Sequence, residues 1–226
     1  SSRKEDALKK LKTECLAKGL TENEISYTVG DLTLKEVAEK LIKDTLDKFG
    51  VIDVLVNNAG ILVAGEVVDC PIEDYDKVTN VNVRSVILLT QLAIPHIIAS
   101  KGTIVIVSSI GGLVASAGIA YYCMSKAAIN QFTKCLALEM APHGVRVNAV
   151  NPGVIATEIH RRVGMDEAEY ADFLSRCKRT HALGRPGTVE EVAKAVLWLA
   201  GDQSTFTTGQ LLKVDGGREI LHPSQH

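Results

Sequence analysis

Val51-Ile-Asp-Val-Leu-Val-Asn-Asn-Ala-Gly60 is the stretch on which the fold turns. Val51 to Val56 is a continuous apolar run broken only by Asp53, and it stops at Asn57, Asn58 and Gly60. A strand wet on one side alternates apolar and polar residues, whereas one covered on both faces does not. The run therefore predicts a strand in a parallel sheet with helices on both faces. Thr103-Ile-Val-Ile-Val107, between Gly102 and Ser108, has the same character, and Val145 to Val150 and Gln210 to Val214 read as further strands. Ile25 to Val29 reads as a further short strand.

Between these runs the apolar residues recur at helical spacing. Ala7, Leu8, Leu11, Cys15 and Leu16 form one stripe over residues 4–18, and Gly19 follows as a stop. Thr33-Leu-Lys-Glu36 and Thr188-Val-Glu-Glu191 have the form of capping boxes, which predicts helices running to about Phe49 and to Ala200. A long helical stretch extends from about Glu73 to Ser100. Another covers Ala120 to Ala141, with Ala128, Phe132, Leu136 and Met140 spaced by four, and a charged helix covers 166–178. Strand and helix alternate throughout, which predicts βαβ units. No internal repeat or low-complexity linker divides the chain, so one α/β domain over 1–226 is expected. Such sheets bind ligands at the carboxyl ends of their strands. That rule points to Asn57, Ser108, Ser109, Asn151 and Pro152.

Composition narrows the function. A net charge of −2 over 226 residues gives no reason to expect nucleic acid or an anionic membrane as partner. The longest apolar candidate for a membrane span, Val81 to Ala99, is interrupted by Asn82, Arg84, Gln91, Pro95 and His96. Cys15, Cys70, Cys123, Cys135 and Cys177 are dispersed, with no metal-binding spacing. An odd, scattered set of thiols suits a reducing compartment, and the cytoplasm is the expected location. No metal is expected.

The chemistry gathers around Tyr122-Cys-Met-Ser-Lys126, which begins thirteen residues after Ser109. Residues four apart on a helix share a face, so a phenol and an ammonium are held side by side. A nearby cation favours the phenolate and is expected to lower the tyrosine pKa, suiting the group to proton transfer. Ser109, just past a strand, is by itself as well suited to capping a turn as to holding a substrate oxygen.

Taken in order, these elements resemble the short-chain dehydrogenase/reductase family. Asn57-Asn-Ala-Gly60 follows a strand, and Asn82 lies in Asn80-Val-Asn-Val-Arg-Ser85, 24 residues after Asn58. Ser109, Tyr122 and Lys126 come next, then Asn151-Pro-Gly153 and Thr157. The resemblance implies a Rossmann-type doubly wound parallel sheet in three αβα layers. It implies catalytic roles for Asn82, Ser109, Tyr122 and Lys126: a relay-water anchor, an oxyanion-type donor, the acid–base, and the residue that lowers the phenol pKa and holds the nicotinamide ribose. Asn58, Ala59 and Gly60 would pass near the adenosine ribose, and Asp31 would stand beside the adenine. Pro152, Gly153, Ile155 and Thr157 would contact the nicotinamide amide. Arg3, at the end of the family's second strand, resembles the guanidinium that grips a 2′-phosphate, so NADP(H) is favoured, with NAD(H) the alternative.

The expected reaction is hydride transfer between NADP(H) and a small-molecule carbonyl or secondary alcohol. A 3-oxoacyl-thioester reductase is the alternative within the enzyme class; a non-catalytic scaffold or regulatory subunit is the alternative outside it. A homo-oligomer, dimer or tetramer, packed through the helices near 75–100 and 120–141, is implied by the resemblance. The segment from Glu158 to Gly187 should carry substrate identity; its Arg161, Arg162, Asp166, Glu167 and Arg179 are mixed in charge and name no substrate. One feature of the family pattern is not in the 226 residues: no Gly-x-Gly-x-x-Gly occurs. The expectation is that an opening βα unit with a Thr-Gly-x-x-x-Gly-x-Gly loop precedes Ser1, which would make this chain an N-terminally truncated form.

Overall fold

The computed structural model describes residues 1–161 and 164–221. Four parallel strands form the sheet: β1 (Val54–Asn57), β2 (Thr103–Val107), β3 (Arg146–Pro152) and β4 (Leu211–Val214), side by side in that order. Val54 pairs with Thr103, Thr103 with Arg146, and Ala149 with Leu211, so the carboxyl ends of the strands share one rim. The connecting helices include α2 (Lys35–Phe49), α3 (Ile72–Thr79), α4 (Ser85–Ser100), α5 (Ala120–Met140) and α9 (Val189–Ala200). Of the others, α1 (Glu5–Ala17) precedes α2, while α6 (Glu158–Arg161), α7 (Glu167–Ser175) and α8 (Cys177–Thr180) lie between β3 and α9.

The two-residue period of a strand explains why the sheet has two cores. Ile104, Ile106, Val147 and Ala149 point to one side, where they pack with Leu89, Ile97, Ile129 and Leu136 of α4 and α5. Val105 and Val150 point to the other, against Leu199 of α9. All six of these strand residues are fully buried, and burying a side chain of Val or Ile size contributes about 1.5–3 kcal/mol. Continuous apolar strands and helices on both faces are therefore one fact.

The cover is uneven at β1. Leu55 is in the larger core, but Val54 and Val56 are 41% and 40% exposed. Among the described residues, α9 packs chiefly over β2, β3 and β4. The expectation that this run is covered on both faces thus holds only for its Leu55 side.

Three other local expectations change. Of the segment Ile25 to Val29, only Val29 pairs, in an isolated parallel bridge with Ser2. The Thr33 capping box does not form. Thr33 is taken by an Asx turn, its N–H and hydroxyl both donating to Asp31 Oδ1 at 3.0 and 2.8 Å, and α2 starts at Lys35 without a side-chain cap. The stretch to Ser100 is α3, one π-helical turn over Asn80–Arg84, and α4, which runs through Pro95. Neither Pro95 nor the polar residues end it. As a result, Ile72–Ser100 is 29 residues long and, by length and composition, apolar enough to cross a membrane. Here its Val86, Leu89, Ala93 and Ile97 lie in the core instead. The Thr188 box does form, with Thr188 N–H on Glu191 Oε2 at 2.9 Å and Glu191 N–H on Thr188 Oγ1 at 3.3 Å.

Candidate active site

Ser109 follows the carboxyl end of β2 and caps the short 3-10 turn Ile110–Gly112, its Oγ accepting the Gly111 N–H at 3.0 Å. Capping and site geometry coincide here. The turn can lie flat on α5 only because of Gly112. A Cβ there would stand 2.6 Å from Lys126 carbonyl carbon and from Asn130 Nδ2. That close approach brings Ser109 onto the Tyr122–Lys126 face, where its hydroxyl acts on the phenol.

Both members of the pair are buried, Tyr122 at 9% and Lys126 at 5% exposure. Lys126 Nζ stands 5.7 Å from the centre of the Tyr122 ring and donates to the Val107 carbonyl at 2.9 Å. Burial pushes the Lys126 ammonium down to about 8. Burial also pushes the Tyr122 phenol up, partly offset by the Ser109 hydroxyl. The expected cation-driven lowering of the phenol is thus not what this geometry gives. The ammonium lies over the ring with a hydrogen bond committed to Val107, and desolvation is the largest influence on the phenol.

Asn82 enters from the π-helical turn, a geometry that often marks functional positions. It is 1% exposed. Its Oδ1 accepts the Ile61 N–H at 2.8 Å, and its Nδ2 donates to the Ile61 carbonyl at 2.9 Å and to Ser125 Oγ at 3.0 Å. A Cβ on Gly60 would stand 3.5 Å from both Asn82 Oδ1 and Lys126 Nζ, so these three residues surround one point. Asn57 is not in that group: it is turned inward and donates to Thr90 at 2.9 Å, securing the end of β1 to α4.

Pro152 ends β3, and Gly153 follows against β4, its N–H on the Val214 carbonyl at 3.0 Å. A side chain at Gly153 would meet Asp215 Cα at 2.9 Å. Ile155 bridges Gly187, and the Thr157 carbonyl accepts from the Tyr170 hydroxyl at 3.0 Å. Asn58, Gly60, Ser109, Tyr122, Lys126, Pro152, Gly153, Ile155 and Thr157 thereby line one cleft of about 620 Å³. Arg3, Asp31, Asn58, Ala59 and Gly60 line a second, of about 280 Å³, which shares Asn58 and Gly60 with the first. Arg3 lies 3.7 Å from Asp31, with 67% of its side chain exposed, a pair too open to contribute much stability. The residues expected at the adenosine and nicotinamide ends of a dinucleotide thus form one path, and the Gly60 and Gly153 backbones give it close-approach points. They fit such a group.

Two residues of this region, Asn130 and His181, escaped the sequence reading, and Asn151, read there as a strand-end position, turns out to hold the backbone of Ser109. Asn151 Nδ2 donates to the Ser109 carbonyl at 2.8 Å and to Asn130 Oδ1 at 3.0 Å, so two buried amides fix the backbone of Ser109. Asn130 had a legible signal: it continues the Tyr122, Lys126 spacing by four. His181 is 2% exposed and its Nε2 accepts the Val154 N–H at 3.3 Å, tying the segment after Pro152 to α8. No sequence spacing marks it. Of the charged residues between Glu158 and Gly187, Arg162 lies outside the described residues. Asp166 caps α7 in a box with Glu169.

Comparison with known proteins places the chain in a family. A family model described as enoyl-(acyl carrier protein) reductase matches residues 2–219. The chain is 43% identical over 188 residues to a 3-oxoacyl-[acyl-carrier-protein] reductase of Thermotoga maritima, covering 83% of this chain and 72% of that protein. It is 46% identical over 167 residues to a cyclopentanol dehydrogenase of Comamonas testosteroni, covering 74% and 65%. A short-chain dehydrogenase/reductase of unknown function from Caenorhabditis elegans, solved with cofactor, superposes with a TM-score of 0.93 at 33% identity over 99% of this chain and 86% of that one. The NADP-bound structure of ElxO superposes with a TM-score of 0.86 at 32% identity, over 97% and 88%.

Proposed function

Since the chain belongs to the short-chain dehydrogenase/reductase family, oxidoreductases of alcohols and carbonyls, we propose that it reduces a small carbonyl compound, or oxidises the corresponding secondary alcohol, with NADP(H). The observation that carries this reading is the meeting of Ser109, Tyr122 and Lys126 beside Gly60 and Asn82 at the sheet's carboxyl rim. Bound NADPH would supply the hydride. Ser109 hydrogen-bonds the carbonyl oxygen, where negative charge develops. Tyr122 then gives its proton to that oxygen, and its raised pKa keeps the proton in place until it is needed. Lys126 places a cation beneath the phenol, and Asn82 holds the Ile61 backbone that borders the same space.

Arg3 supports NADP(H) over NAD(H), since its exposed guanidinium is available to a 2′-phosphate. Five free cysteines support a reducing compartment such as the cytoplasm. Apolar side chains left uncovered on the helices, among them Ile72 on α3, Met124 and Leu138 on α5 and Leu197 on α9, support a homo-oligomer. The test is oxidation of NADPH and of NADH by the purified protein over a panel of ketones. Turnover lost in Tyr122→Phe supports the reading; turnover retained in that variant overturns it. The 43% identity to a 3-oxoacyl reductase favours a second substrate class, and the panel therefore includes a 3-oxoacyl thioester.

A further inference from the structure

A recess of about 250 Å³ shares Ser109, Tyr122 and Gly153 with the larger cleft. Its wall is mostly apolar, with Leu62, Ile119, Met165 and Phe173 among the residues that line it beside Tyr122. Among the described residues that line it, Arg218 alone has a charged side chain. Arg218 is half-exposed, so its guanidinium stands between the apolar wall and solvent, where an anion can reach it.

Among the described residues, nothing answers Arg218 with a charge. Arg218 Nη1 donates to the neutral Thr180 Oγ1 at 3.3 Å, and no carboxylate forms an ion pair with it. The acids of the neighbourhood are engaged elsewhere. Asp215 accepts the Gly217 and Glu219 N–H groups at 3.1 and 2.9 Å, and Glu219 pairs with Lys213. In the adjoining hollow, Asp172 lies 3.4 Å from Arg176 and Glu169 is closed into the cap of α7. The Arg218 charge is nevertheless felt inside: after burial, it is the next cause holding the neighbouring His181 below its ordinary range.

We propose that this recess receives a small oxoacid or hydroxyacid whose reacting carbon lies at Ser109 and Tyr122, whose stem lies against Leu62 and Phe173, and whose terminal oxyanion is received by Arg218. This rests on the oxidoreductase reading and adds the substrate's charge to it. The guanidinium fork matches a carboxylate in two parallel hydrogen bonds, which fixes the stem's direction as well as its affinity. The volume limits the stem: it is below the roughly 300–1,000 Å³ of clefts that hold drug-sized ligands.

Two measurements test it. The first is calorimetric titration of the protein with non-reducible alkanoates from butanoate to octanoate, the matching alkanesulfonates, and the matching neutral amides. At least one chain length should bind as the anion about tenfold or more tighter than as the amide, the fold-change of one charge-assisted hydrogen bond. Arg218→Met should abolish that preference and leave the amide unchanged, while Arg218→Lys should retain part of it. Equal binding of acid and amide, or a preference that survives Arg218→Met in a variant with an unchanged melt, overturns the proposal. A carboxylate preference and a sulfonate preference both support it, and their ranking names the oxyanion. The second is turnover of oxoacids against their amides with NADPH. Turnover that ignores charge overturns the Arg218 assignment and leaves the oxidoreductase reading standing. Arg218-dependent anion binding without turnover of any carbonyl keeps the anion site and overturns the redox reading.

Discussion

Lys126 lies over the Tyr122 ring, its Nζ 5.7 Å from the ring centre, and gives a hydrogen bond to the Val107 carbonyl at the end of β2. One buried ammonium thus links α5 to the sheet and sets a charge beneath the phenol. Both groups pay for burial, in opposite directions: the ammonium releases its proton more readily and the phenol less.

The Lys126 ammonium should therefore titrate at about 8, against 10.5 for an exposed lysine. Observation of its ζ nitrogen by NMR across a pH series checks this; a midpoint near the exposed value would refute it. The sign for stability follows. Between the two values the unfolded chain holds the extra proton, so stability should rise with pH through that window. The cost of burying the charge is fully present below about 8. Lys126→Met should flatten that rise in a thermal melt.

Tyr122→Phe removes the transferable proton and little volume, so turnover should vanish while the melt stays close to that of the parent. Ser109→Ala should lower kcat by about 10²–10³, by analogy with the loss of one oxyanion donor. Steady-state kinetics with a saturating ketone separates the roles. A loss confined to KM would make Ser109 a uniform binding residue instead.

Arg3→Asp should shift preference from NADPH towards NADH. The substitution removes the guanidinium and sets a carboxylate beside Asp31, which repels a 2′-phosphate. The ratio of kcat/KM for the two cofactors reports it, and an unchanged ratio would remove Arg3 from the cofactor site.

His181 should make the protein sensitive to acid. Burial first, then the Arg218 cation, lower its pKa below 6.5, with Asp215 opposing. The neutral ring accepts the Val154 N–H, which an imidazolium cannot do. The unfolded chain takes up the proton first, so this contribution is complete above 6.5 and is lost as pH falls through the lower folded value. His181→Gln keeps an acceptor without a proton to gain. Melting curves across that range should fall more steeply for the parent than for the variant; parallel curves would contradict the assignment.

The sequence by itself determined what depends on neighbours along the chain. Thr103 to Val107 is a strand to the residue, because an apolar run between Gly102 and Ser108 leaves few alternatives. Tyr122 and Lys126 share a face because of helical pitch, and the Thr188 cap forms because its partner Glu191 is three residues away. Where a local competitor existed, the local reading failed: Asp31 took Thr33 from its predicted box. Only the tertiary structure decided which distant groups meet. The approach of Gly112 to Lys126 puts Ser109 on the phenol, Asn151 and Asn130 hold its backbone, and burial sets both pKa directions. The far-off Arg218 enters the same recess because the segment after β4 folds back over Thr180 and His181. Pitch and pleat are properties of the backbone and can be read from spacing. Desolvation and the convergence of remote loops depend on how the whole chain packs, and no spacing in the sequence encodes them.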